Sequence, residues 1–188
     1  MSDPLRILVA DDNPVFLRLL ETFVHKCGYL PVPVSDGQQA LAILDREDAP
    51  RLAILDWEMP GLTGPQVCEA LKAKPRALPI YTILLTARTE PSEVVEGLHS
   101  GAHDYVRKPM HHEEMRLRLG IWSRIVRMEE ELHARGGGAN PARAADAETV
   151  AALSAWWGDA VPLLSATSAG RALATRMDAI LERLERRP

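Results

Sequence analysis

The 188-residue chain is poor in several residue types that build common classes of site. It has two cysteines, Cys27 and Cys68, too few and too widely separated for a disulfide framework or a Cys-x-x-Cys metal half-site. Both read as small core or near-surface thiols. No apolar run approaches the roughly 18–20 residues that cross a bilayer. The start, Met1-Ser2-Asp3-Pro4, has no basic region followed by an apolar stretch, so the reading is a cytoplasmic chain without membrane contact. Basic surplus is missing too: 16 Lys+Arg stand against 20 Asp+Glu up to Arg135, and 6 against 6 after it. Nucleic acid is therefore not an expected partner. The histidines at 99, 103, 111 and 112 form no i, i+4 pair on one helix and are expected on a solvated rim rather than around a metal.

What is present is an alternation of short apolar runs and helical patterns. Residues 5–10, Leu-Arg-Ile-Leu-Val-Ala, read as a buried strand that turns abruptly polar at Asp11-Asp12-Asn13-Pro14. Pro14 suits a first helical turn, and Phe16, Leu19, Leu20, Phe23 and Val24 follow at helical spacing to the stop signal Cys27-Gly28. Residues 30–34 form a second strand despite two prolines, and Ser35-Asp36-Gly37 opens a second helix with Ala40, Leu41, Ile43 and Leu44. Leu52 to Leu55 is the third strand, delivering Asp56 to the turn Met59-Pro60-Gly61, and a third helix begins near Pro65. A fourth strand, 80–85, ends at Thr86-Ala87-Arg88, and a helix follows Pro91-Ser92 and closes near Gly101. A fifth strand, 103–107, ends at Lys108-Pro109. Five strands alternating with helices imply an α/β fold, a parallel sheet in the order 2-1-3-4-5 with helices on both faces.

This order places Asp11, Asp12, Asp56, Thr86 and Lys108 at one sheet edge. Taken singly, an Asp-Asp pair is most often a helix cap and a Lys-Pro a turn. Together they suggest chemistry. Three converging carboxylates repel unless a cation joins them, and hard oxygen ligands at an open site favour Mg2+. With Asp12 and Asp56 on the cation, and Asp11 helping directly or through water, Asp56 can attack phosphorus. Lys108 adds a compact positive charge and Thr86 a hydroxyl donor.

Asp11-Asp12, the run Asp56-x-x-Met59-Pro60-x-x-x-Gly64, Thr86-Ala87 and Gly101-Ala102-x-Asp104-Tyr105-x-x-Lys108-Pro109 resemble the response-regulator receiver domain of two-component signalling, over residues 5 to about 120. The resemblance implies the flavodoxin-like receiver fold and makes Asp56 the phosphoacceptor. It also implies a Mg2+ site of Asp12, Asp56 and the Glu58 backbone carbonyl, supported by Asp11 through water. Thr86 and Lys108 would hold the phosphoryl oxygens, and Tyr105 would be an aromatic switch following Thr86. Glu58 and Arg88 lie near the site and are expected to tune phosphate lifetime. The implied donor is a histidine kinase or a histidine phosphotransfer protein. Beyond its own phosphorylation and hydrolysis the receiver is not expected to be an enzyme.

After the receiver, expected over 1–120, the last helix continues through Leu117, Ile121, Ile125, Met128 and Leu132. This spacing suggests a coiled-coil stalk over 121–135 and a homodimer, with the alternative of a long helix folded back on its own domain. The ending Arg127-Met128-Glu129-Glu130-Glu131-Leu132 resembles stalks that lead to diguanylate cyclases. Only 53 residues follow Arg135, and they hold no Gly-Gly-Asp/Glu-Glu-Phe signature. A Gly-rich linker, 136–143, precedes a helical tail, 144–188, with helices expected at 144–157 and 168–187. The second carries Leu173, Met177, Ile180 and Leu184 in one narrow stripe, and the first carries Trp156 and Trp157. The tail lacks histidine, so it is not a phosphotransfer module. The expected function is a response regulator that signals through phosphorylation-dependent contacts with a downstream protein. A phosphorelay intermediate or phosphate sink is the alternative, and a DNA-binding regulator a more distant one.

Overall fold

The computed structural model describes residues 4–87 and 99–134. The helix expected after Pro91-Ser92, the linker and the two tail helices lie outside the described residues, as does Arg88.

Strand β1 (Arg6–Ala10) is buried at every position but its first, and β3 (Leu52–Asp56) is buried throughout. That is the signature of strands covered on both faces. With β2 (Leu30–Val34), β4 (Tyr81–Thr86) and β5 (Asp104–Arg107) they form a five-stranded sheet in the order β2-β1-β3-β4-β5, every pair parallel. The expected architecture and strand order are both present.

Edge strand β2 accommodates Pro31 and Pro33 because of which way its amides face. Leu30 N–H donates to Leu5 O at 3.0 Å, towards β1. Amides alternate in direction along a strand, so Pro31 and Pro33 occupy the outward positions, where no ladder bond is lost.

Local signals start the helices where the site needs them. In α1 (Pro14–Lys26) the cap is Asn13, whose side chain accepts from Val15 and Phe16 N–H, with Pro14 at the first position. Asp36 caps α2 (Gly37–Leu44), and Thr63 with Gln66 forms a reciprocal capping box at α3 (Gly64–Lys72). Gly28, at φ +86°, ends the α1 segment in the left-handed conformation that favours glycine.

The next described helix, α4 (His112–Ala134), has 23 residues, about six turns. Its buried stripe is Met115, Leu119, Trp122 and Val126, with Arg118 fully buried among them. The expected seam runs one or two positions away and is unevenly covered: Leu117 is 37% exposed, Ile121 is buried, and Ile125 and Met128 are half-buried. The side chain of Leu132 lies outside the description. The expected boundary at residue 120 falls inside real packing. Trp122 stacks on Tyr81 with ring centroids 4.9 Å apart, and Ser123 Oγ lies 2.9 Å from Tyr29 Oη. The first compact unit accordingly runs Met1–Val126, and α4 continues past it to Ala134.

Candidate functional site

The carboxyl ends of β1 and β3 flank the point where the sheet reverses its winding, the usual location for ligands in open α/β sheets. Asp11 and Asp12 follow β1 there, and Asp56 is the last residue of β3. One carboxylate oxygen from each of Asp11, Asp12 and Asp56 lies within 4.8 Å of the other two. Asp11 is completely buried, Asp56 is 8% exposed and Asp12 faces solvent. The bland reading of the pair, a helix cap, does not hold for Asp11 and Asp12, because Asn13 caps α1. Asp11 instead accepts the Asn13 N–H through Oδ1 at 3.0 Å, which leaves Oδ2 directed elsewhere.

Lys108 takes that second oxygen. Its Nζ is 2.7 Å from Asp11 Oδ2 and 2.9 Å from Asp56 Oδ1, joining the ends of β1, β3 and β5. The backbone reinforces the arrangement, since Lys108 N–H donates to Thr86 O at 2.7 Å. Trp57 N–H donates to Asp56 Oδ1 at 2.9 Å. Burial pushes the Asp56 carboxyl pKa up; the Lys108 hydrogen bond and charge pull it down without cancelling that effect, and Asp11 adds to the rise. For Lys108, burial opposes the charged form, but the bonds and charges of Asp11 and Asp56 outweigh it and raise its pKa. The ammonium stays protonated.

Three carboxylates against one ammonium leave two negative charges, the charge of one divalent cation. The donors are all hard oxygens, one of them open to solvent, which suits Mg2+ better than a softer metal. Like charges this close repel, most strongly between the buried Asp11 and Asp56, so a cation here relieves a repulsion that Lys108 relieves only in part.

The other sequence-predicted residues sit around this centre. Thr86, 3% exposed, ends β4 one residue beyond Leu85, the register partner of Asp56. Tyr105 is buried in β5, with 5% of its surface exposed. Glu58 is exposed, two residues past Asp56. His99, His111 and His112 join no metal-competent group among the described residues; His112 stacks on Phe23 and His103 packs edge-on to Tyr81.

Gly64 allows α3 to approach the site. Its N–H donates to Trp57 O at 2.9 Å, and a Cβ there would stand 2.4 Å from the Asp56 carbonyl oxygen.

Two contacts were missed by sequence reasoning. Lys108 Nζ lies over the Phe16 ring, 4.4 Å from its centroid; the sequence shows Phe16 only as an apolar position at helical spacing in α1. Asp104 and Arg118 form a buried pair at 2.6 Å, and Arg118 also reaches Glu114 at 2.8 Å. Asp104 further accepts from Trp122 Nε1 at 3.3 Å and from Tyr105 N–H at 2.8 Å. The Glu114/Arg118 spacing is a visible helical-pair signal and Asp104 belongs to the Gly101–Pro109 motif, but nothing in the sequence paired Asp104 with Arg118 or joined Phe16 to Lys108.

Comparison with known proteins gives a consistent result. Residues 7–120 match the response regulator receiver domain family. The DNA-binding response regulator MtrA of Mycolicibacterium smegmatis is 40% identical over 126 residues, 67% of this chain and 53% of that protein. The receiver domain of the Francisella response regulator 1452 superposes with a TM-score of 0.59 at 28% identity, covering 65% of this chain and 99% of that one. The receiver domain of the sensor histidine kinase PA1611 of Pseudomonas aeruginosa PAO1, whose structure has a magnesium ion coordinated in the active-site cleft, gives 0.58 at 28% identity over 64% of this chain and 98% of that one. The chain spans about half the length of the curated relatives it matches.

Proposed function

The chain belongs to the response regulator receiver family through residues 7–120, and from that premise we propose that it is a two-component response regulator phosphorylated on Asp56. The observation that carries this reading is the Lys108 ammonium held between Asp11 and Asp56, beside a solvent-facing Asp12.

In the proposed reaction an Asp56 carboxylate oxygen attacks phosphorus. The bond from phosphorus to the donor breaks: P–N for a phosphohistidine of a kinase or phosphotransfer protein, P–O for an acyl phosphate. The leaving group departs with the electron pair and takes a proton from solvent if it needs one. Asp12, Asp56, the Glu58 carbonyl and, through water, Asp11 would hold Mg2+, which supplies charge neutralisation for the incoming phosphoryl oxygens. Lys108 donates to a phosphoryl oxygen once Asp56 gives up its negative oxygen, and Thr86 offers its hydroxyl to another. Tyr105 follows Thr86. Water attack on phosphorus later regenerates the Asp56 carboxylate. The chain acts only on itself in this scheme, and in the cytoplasm.

The output runs through protein contacts with a second copy and a downstream protein. Since α4 packs within the first unit through Val126, the part of the expected 121–135 stalk left free for pairing among the described residues is the helix from Arg127 to Ala134, under three turns. A phosphate relay or sink is the simpler alternative. One observation favours a second reading, a DNA-binding regulator: MtrA is named as such, and the expectation against nucleic acid finds no support in that relative.

The test is phosphorylation by acetyl phosphate with Mg2+, read by intact mass, on the full chain and its Asp56→Asn variant. One phosphoryl group on the wild type and none on the variant is expected; equal labelling would sink the reading. Light scattering with and without beryllofluoride then reads self-association, and retention of duplex DNA across a salt series decides the second reading.

A further inference from the structure

We infer that Phe16 is a positioning residue for Lys108, its ring confining the ammonium to the arc between Asp11 and Asp56. The inference rests on the phosphoacceptor reading above and specifies how the cation of that site is kept in place.

The geometry forms a closed circuit. Asp11 Oδ1 accepts Asn13 N–H at 3.0 Å. Asn13 Oδ1 in turn accepts Phe16 N–H at 3.2 Å, fixing the residue in the first turn of α1. The Phe16 ring then lies 4.4 Å below Lys108 Nζ, and Lys108 returns to Asp11 Oδ2 at 2.7 Å. Asp56 Oδ1, at 2.9 Å, is the ammonium's other carboxylate partner. Two N–H groups of Lys108 thus meet carboxylates while an aromatic face closes off another direction.

That third wall matters because a lysine side chain is long and readily rotates towards water. The two carboxylates alone hold it only while both keep their charge. When Asp56 attacks phosphorus, its negative oxygen is consumed, and the bond to Asp56 weakens at the moment the ammonium is needed at the phosphoryl group. The ring does not change during that step. It therefore supplies a constant attraction, electrostatic in origin, that keeps Nζ at the site while its partner is exchanged.

An aliphatic side chain of similar size would cover Lys108 without attracting it. The discriminating experiment compares the wild-type full chain with Phe16→Leu and with pentafluorophenylalanine at position 16, which keeps the ring's shape and reverses its quadrupole. The first readout needs no metal: acetylation of Lys108 by acetic anhydride, followed by peptide mass spectrometry. We expect labelling about threefold to tenfold faster in both variants, and a comparable fall in the rate of phosphorylation by acetyl phosphate at saturating Mg2+, with Mg2+ affinity by calorimetry not reduced. Phe16→Trp, with a stronger π face, should behave as wild type.

Wild-type rates in the pentafluorophenylalanine protein would overturn the inference, since a merely space-filling ring is indifferent to fluorination. So would losses in rate that track losses in Mg2+ affinity. If the wild type itself accepts no phosphoryl group, the phosphoacceptor reading falls, and the Lys108 labelling series still decides the role of Phe16.

Discussion

Lys108 donates to Asp11, 97 positions earlier in the chain, at 2.7 Å, and Asp11 has no exposed surface. The bond ties the end of β5 to the end of β1 across the sheet and leaves the buried carboxylate dependent on one side chain.

Replacing Lys108 by Met should therefore do two opposite things. Without a divalent cation, the buried Asp11 and Asp56 lose their ammonium partner, and stability should fall by about 2–3 kcal/mol. Saturating Mg2+ should restore more stability to the variant than it adds to the wild type, because the extra negative charge favours the cation. Phosphorylation of Asp56 should slow despite that tighter binding. Urea unfolding with and without Mg2+ checks the first two effects, and acetyl phosphate kinetics the third.

Arg118→Met strands Asp104, which is 3% exposed and reaches Arg118 Nη1 through both carboxylate oxygens at 2.6 and 2.7 Å. Removing one member of a buried pair costs about 3–5 kcal/mol, and the double variant Asp104→Leu/Arg118→Met should recover most of it. Chemical denaturation of the three variants measures the coupling. Additive losses would show that the pair is not a unit.

Gly64→Ala places a Cβ 2.4 Å from Asp56 O and 2.7 Å from Leu84 Cδ2. Backbone and core must both shift, at about 1–3 kcal/mol, and the Asp56 carbonyl moves with them. Lower thermal stability and slower phosphorylation are expected together; a loss of stability with unchanged phosphorylation would mean that α3 yields and β3 does not.

Burial raises the Cys68 thiol from 9.0 to about 11, opposed by the hydroxyls of Thr82 and Ser100. Between those values the folded chain keeps a proton that the unfolded chain releases, so stability declines as pH rises through the window. The loss approaches about 2–3 kcal/mol at its upper end. Cys68→Ala removes this component. The difference in unfolding free energy between wild type and variant should shrink or reverse from about pH 8 to about pH 11.

The sheet was legible because its strands are short apolar runs bounded by strong punctuation, and the β3 run ending in Asp56 suits a strand covered on both faces. The acidic cluster was legible for the same reason: parallel order puts every strand end on one edge. Helix α4 was harder. Its seam and its core stripe differ by only one or two positions, and the contacts with Tyr29 and Tyr81, far back in the sequence, decide that Trp122 and Ser123 turn inward. Phe16 is legible as an apolar helical position, yet its partner Lys108 lies beyond the reach of any spacing rule.

The two prolines of β2 set a limit on how this molecule can associate. Joining sheet to sheet requires a free row of amide donors on the edge strand, and along β2 the outward positions at Pro31 and Pro33 carry none. A second copy, or an extended segment of a partner, finds no template on that side. On the β2 edge, association therefore falls to side-chain surfaces rather than to main-chain pairing.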